Sequence, residues 1–217
     1  MLNFQDFFND CTGRWTTERM YHSVLEGQVE RSYTEFRVEP ITQSQKQQIL
    51  SLSATPTYSS VKVDLEKIAD QEAVLPGFAI AFDTRSETGE TVSMTLKALF
   101  VPDTYVISAE TKEEAVPPLP QAAQVATPDG EVIQGFYLRD QGYSEAGAIT
   151  GRFTYQPTRQ TLEMTTYYRR SVAVDQMRMV APDLRLRTII TYQRPTTGEP
   201  PSIIDLIGFG VESKQLA

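Results

Sequence analysis

Apolar and polar residues keep helical spacing at the start of this chain and then, for most of its length, alternate. Phe4, Phe7, Phe8 and Cys11 recur every three to four residues, the spacing that lines one side of a helix. A short amphipathic N-terminal helix is predicted here, suited to covering one end of a barrel. Residues 13–25 then read as a strand, Gly27 as a turn and residues 29–38 as the antiparallel partner, with Tyr33 and Thr34 favouring extended backbone. Thr42 is placed to cap one further helix over residues 43–50, because its hydroxyl can accept from the first backbone amides.

After that the chain reads mostly as strand. Residues 78–82 form a short apolar run, followed by the polar turn Glu87-Thr88-Gly89-Glu90. Val92, Met94, Leu96 and Ala98 alternate with Ser93, Thr95, Lys97 and Leu99 as a half-buried strand that Pro102 ends. Further strands are predicted over residues 132–139, 148–156, 161–170, 174–180, 184–194 and 203–211. Gln156-Pro157-Thr158 and Ala181-Pro182-Asp183 supply turn chemistry between them.

Many strands at roughly 8–12-residue spacing, with one helix early, predict an all-β antiparallel barrel or sandwich, and closure into a barrel would remove exposed sheet edges. Strand–helix alternation is missing, which excludes a doubly wound α/β sheet, and no glycine-rich phosphate loop is present. Residues 110–130 carry Pro117, Pro118, Pro120 and Pro128 with few large apolar groups. They read as an excursion or mobile loop inside a single domain spanning residues 1–217.

Composition changes this picture little. With 217 residues, 40% hydrophobic and 22% charged, a core should form without covalent staples. The one cysteine, Cys11, excludes an internal disulfide framework and lies on the apolar side of the first helix, which favours a packing role. A formal charge of −8 argues against general affinity for nucleic-acid phosphates. No apolar run approaches the roughly 18 residues of a membrane-spanning helix. Met1-Leu2-Asn3-Phe4-Gln5-Asp6 shows no basic stretch leading into an apolar block, so no export signal is expected. A cytoplasmic or plastid-stromal location is the expectation.

Candidate chemistry concentrates near the end of the chain. In a strand, Arg185 and Arg187 project from one face, amid Leu, Ile and Thr. Two guanidinium groups so placed suit a ligand with two acidic groups, each gripped through paired hydrogen bonds; the alternative is that both point into water. Asp175 shares a strand face with Met177 and Met179. It belongs either at a strand end in water or inside a ligand cavity, where it would need donated hydrogen bonds or positive charge.

Ordinary catalytic sets are thin. There is one histidine, His22; a Cys–His pair would need Cys11 beside it, no Gly-x-Ser-x-Gly elbow exists, and a lone histidine makes no transition-metal site. Trp15, after Gly13, either plugs one end of a barrel or simply packs in the core.

Taken in order, Phe7-Phe8, Gly13-Arg14-Trp15 with Glu18-Arg19 and His22, Leu138-Arg139-Asp140-Gln141-Gly142-Tyr143, Gly151-Arg152-Phe153 and Ala181-Pro182-Asp183-Leu184-Arg185-Leu186-Arg187-Thr188 resemble the S/U-type phycobiliprotein lyases, the CpcS/CpeS-like chromophore lyases. The resemblance covers most of the chain. It implies a lipocalin-like barrel of about ten antiparallel strands with a capping helix. It also implies an enzyme that binds an open-chain tetrapyrrole, a phycobilin such as phycocyanobilin, and delivers it to a cysteine thiol of a phycobiliprotein subunit as a thioether. The bilin is then substrate, no cofactor is implied, and the nucleophile belongs to the acceptor. Work as a homodimer, or as a heterodimer with a related subunit, follows from the same likeness.

For individual residues, the resemblance implies that Arg185 and Arg187 bind or orient the two propionates. Asp175 would contact the pyrrole nitrogens and keep the ring system protonated, and His22 would assist proton transfer or orient the pigment. Phe82, Met94, Tyr155, Met164 and Met177 are candidates for the apolar wall by strand phase. The chain departs from the family in several places. Phenylalanines stand at 78 and 82 where tryptophans are usual in that strand, Asp175 replaces a Glu, Ile189 replaces a Ser, and the proline-rich stretch from Val116 to Pro128 resembles an insertion. Two other readings share the barrel: a partner subunit without a ligand of its own, and a carrier of an apolar acid such as a fatty acid.

Overall fold

The structure, a computed structural model, describes residues 1–53, 59–69, 75–111, 116–124, 132–143, 145–196 and 198–215. Helix α1 (Phe4–Cys11) begins at Asn3, whose side-chain oxygen accepts from the Asp6 amide at 2.8 Å and so satisfies one of the unpaired donors of the first turn. Its apolar side buries Phe7, Phe8 and Cys11, as the spacing predicts.

Strands β1 (Gly13–Ser23) and β2 (Gln28–Pro40) follow, then α2 (Gln43–Ser53), β3 (Ser59–Val63) and α3 (Leu65–Ala69). The remaining strands are β4 (Gly77–Ser86), β5 (Thr91–Pro102), β6 (Val106–Thr111), β7 (Ile133–Arg139), β8 (Ile149–Gln156), β9 (Thr161–Tyr167), β10 (Ser171–Ala181), β11 (Leu184–Gln193) and β12 (Ile204–Lys214).

Ten of these strands close into an antiparallel barrel in the order β1-β12-β11-β10-β9-β8-β7-β5-β4-β2, with β2 pairing back onto β1. The predicted barrel, its strand number and its two early helices are all present. Two features go beyond the expectation. Helix α3 is a third helix, and β3 and β6 form a separate two-stranded sheet. Together with α2 and Ile41 they cover the outer face of β5 and β7, where Leu99, Val101, Phe136 and Leu138 are buried against Ile49, Ile68 and Leu75. Those two strands are thus apolar on both faces, which explains the unbroken run Ala98-Leu99-Phe100-Val101.

The proline-rich excursion is packed where it is described; residues 112–115 and 125–131 lie outside the described residues. Ala123 is buried in a small cluster with Val174 and Tyr192 on the outer side of the barrel. The Ala122 carbonyl accepts from Gln176 Nε2 at 3.2 Å. None of the helices among the described residues is long and apolar enough to cross a membrane.

Inside the barrel, α1 plugs one end. Phe4 lies 5.5 Å from Phe153 with nearly parallel rings, Phe7 and Phe8 pack on Tyr155 and Phe100, and the Trp15 indole donates to the Cys11 carbonyl at 2.9 Å. Trp15 therefore does what both earlier readings allowed, closing the end and packing in the core. Tyr155 belongs to this plug; its hydroxyl donates to the Leu2 carbonyl at 2.8 Å.

Candidate functional site

Above the aromatic plug lies a layer of charge. Residues of β1, β10, β11 and β12 alternate in and out, and the inward sets include Arg19, Asp175, Arg185, Arg187 and Glu212. Register places Arg185 opposite Glu212 on β12, and Arg187 opposite Gly210. A side-chain carbon at Gly210 would stand 2.7 Å from the Glu18 carbonyl oxygen and 3.0 Å from Arg19 Cγ, so the missing side chain leaves room for Arg19 to reach across.

Glu212 is fully buried and is the hub of this layer. Its Oε2 accepts from Arg185 Nε at 2.7 Å, its Oε1 accepts from Arg19 Nη2 at 2.9 Å, and Arg187 Nη1 lies 3.6 Å from Oε1. Burial alone would push its carboxyl up. The charges of Arg185, Arg187 and Arg19 outweigh burial and hold the pKa down at about 2. Arg185, 2% exposed, also lies with its guanidinium carbon 4.2 Å from the centre of the Trp15 ring. Arg187 is held by Asp175 through two bonds, Nε to Oδ1 at 2.9 Å and Nη2 to Oδ2.

Both arginines thus face inward, as one of the two alternatives required, and each is already matched by a carboxylate. The positive charge that a buried Asp175 requires comes from Arg187. The sequence reading missed Glu212 as the partner of Arg185.

Next to this layer a cavity of about 500 Å³ is lined by side chains of Phe36, Ile80, Phe82, Tyr137, Met164 and Ile189, among others. The charged groups on its wall are Arg19, Arg139, Arg187 and Asp175. Of the expected apolar wall residues, Phe82 and Met164 line this cavity. Met177 lines a small void nearer the plug, beside Arg185 and Arg187, and Tyr155 belongs to the plug; Met94 pairs with Phe82 across β4 and β5 and packs against the core without lining the cavity.

His22 is placed apart from all of these. The inward residues of β1 run Trp15, Thr17, Arg19 and Tyr21, so period-two alternation turns His22 outward. There its ring stacks on Phe209 of β12 at 5.9 Å. This phase places the His22 ring outside the cavity. Arg19, Arg139, Tyr143 and Tyr168 are among the cavity residues that sequence reasoning did not single out for binding. For the two arginines the signal was phase: Arg19 is in step with Trp15, and Arg139 with Tyr137.

A closed antiparallel barrel plugged at one end, with an apolar pocket floored by fixed charge, defines a ligand-binding protein of the lipocalin-like type. Comparison with known proteins narrows the class. The CpeS-like protein family model matches residues 3–114 and 107–214, and the chain belongs to that family. It is 39% identical over 214 residues to Chromophore lyase CpcS/CpeS 1 of Synechococcus sp. (strain JA-3-3Ab), covering 99% of this chain and 97% of that protein. Its fold matches the S-type phycobiliprotein lyase CpeS from Guillardia theta with a TM-score of 0.60 at 15% identity, over 100% of this chain and 95% of the other.

Proposed function

We propose that this chain is a phycobilin lyase, which takes an open-chain tetrapyrrole into its barrel and promotes thioether attachment of the pigment to a cysteine of a phycobiliprotein subunit. One observation carries the reading. Around the cavity and its charged floor, the four guanidinium groups of Arg19, Arg139, Arg185 and Arg187 stand against the two carboxylates of Asp175 and Glu212, leaving two positive charges in a protein of net charge −8. A bilin brings two propionates and an extended apolar ring system, the chemistry that such a wall complements.

Asp175 contributes orientation and charge. Each of its oxygens is engaged by Arg187 and retains a further lone pair for a pyrrole N–H. A carboxylate at that position favours the protonated pigment, whose exocyclic ethylidene is the more electrophilic toward a thiolate. The sulfur that attacks is the acceptor's. Cys11 is buried on the inner side of α1, and burial pushes its thiol up despite Arg185, which supports packing rather than nucleophilic attack. Dimerisation, with a second copy or a related subunit, belongs to the same proposal, and sedimentation of the chain alone and mixed with that subunit reads the mass.

Purified protein mixed with phycocyanobilin should shift the pigment's visible spectrum. Adding an apo-phycobiliprotein subunit should then yield colour that survives denaturation, faster than in a control without this chain. Asp175→Asn should slow attachment about ten- to a hundredfold. A carrier of apolar acids would bind pigment without speeding attachment, and a rate equal to the control rejects the lyase reading.

A further inference from the structure

We infer that Arg139 is the seat of one of the ligand's carboxylates. The inference rests on the proposed function and names a subsite within it. Arg139 stands on β7, three strands round the barrel from Asp175 on β10, and is 2% exposed. Arg19, Arg185 and Arg187 each carry a carboxylate partner, whereas Arg139 has none among the described residues. Its Nε donates to the Gln141 carbonyl at 3.0 Å and its Nη1 to the Tyr168 hydroxyl at 3.3 Å. Nη2 is buried with no acceptor among the described residues. A buried guanidinium with an unused donor and no counter-charge is costly, and a carboxylate arriving from the cavity satisfies both needs.

The surroundings hold that charge in place without neutralising it. Tyr143 and Tyr137 present their rings to the guanidinium, with centroids 4.4 Å and 5.8 Å from Cζ. Burial pushes the hydroxyls of Tyr137 and Tyr168 up, so both stay neutral phenols and supply no anion. The neighbouring acid, Asp140, belongs to the opposite strand phase, where it accepts from the Lys97 amide at 2.8 Å and pairs with the Lys97 ammonium. Tyr143 is 48% exposed, comes from the loop after β7 and also leans on Phe82. Its ring covers the guanidinium.

The test compares phycocyanobilin with its dimethyl ester, in which neither propionate carries charge, on the full chain. Wild type should bind the diacid more tightly than the diester. In Arg139→Gln the diacid should weaken about ten- to a hundredfold while the diester changes little, collapsing the preference. An unchanged diacid-to-diester ratio in a folded Arg139→Gln protein overturns the subsite. Should that variant not fold, the wild-type protein gives an independent reading. In nitrogen-15-labelled protein the Arg139 Nε–H resonance should move on adding diacid and stay in place on adding diester, and no movement with diacid overturns the inference. Failure of wild type to bind either pigment form would instead reject the bilin reading beneath it.

Discussion

At Glu212 three guanidinium groups converge on one buried carboxylate, and removing its charge leaves Arg19 and Arg185 without their carboxylate partner and Arg187 with Asp175 alone. Glu212→Gln should destabilise the fold by about 3–5 kcal/mol in urea unfolding, since breaking a buried ion pair strands its cations. The pH dependence follows in sign. A carboxyl whose folded pKa is lowered from 4.5 to about 2 contributes fully above its unfolded value and loses that contribution as pH falls toward 2. The amount is roughly 3 kcal/mol. Wild type should therefore lose stability across that acid window more steeply than Glu212→Gln, and parallel acid limbs in the two proteins would remove the hub from the account. Sequence reading reached this cluster only in part. It found that Arg185 and Arg187 share a face and that Asp175 needs a counter-charge. It ended the last strand at residue 211, one position short of Glu212, because a charged residue beyond an apolar run carries no local sign of burial.

Among the elements, α1 and β12 decide how the interior is divided. Helix α1 fills one end of the barrel with Phe7 and Phe8, so Phe7→Ala should cost about 3–5 kcal/mol by emptying a fully buried position. Chemical denaturation followed by near-ultraviolet circular dichroism reads this, and an unchanged midpoint would mean that the plug does not bear on stability. In β12 the alternating Gly208 and Gly210 keep the wall thin where Tyr21 and Arg19 cross it. Gly210→Ala should cost about 1–3 kcal/mol, because the obstacle at 2.7 Å is backbone rather than a mobile side chain. Stability equal to wild type would show that β1 can shift to make space.

Most elements were legible in the chain: α1 from its 3.6-residue spacing, and the strands from alternation and turn residues. The β3–β6 sheet and α3 were not. They are short, and they are fixed by the apolar outer face of β5 and β7 that they cover rather than by any periodicity of their own.

For the molecule as a whole, a cavity beside a charged layer links stability to the ligand. Phycocyanobilin present at a hundred times its dissociation constant should raise unfolding free energy by about 2.7 kcal/mol, visible as a higher Tm. A thermal midpoint that stays fixed across a pigment titration would show that the folded barrel does not bind it.

The sequence by itself determined the antiparallel all-β class, the shared strand face of Arg185 and Arg187 and the likeness to chromophore lyases. Side-chain alternation and turn chemistry are local properties, and a linear reading captures them. Tertiary structure decided which charges meet and which inward residues line the cavity rather than the plug. The Arg19–Glu212 bond joins positions 193 residues apart and the Arg185–Glu212 bond positions 27 apart, so barrel closure and register created those contacts. Strand phase put Tyr155 and Met164 on the same inner face. The seating of α1 then placed Tyr155 in the packed end and left Met164 at the cavity, because a strand's period specifies a face and not a depth.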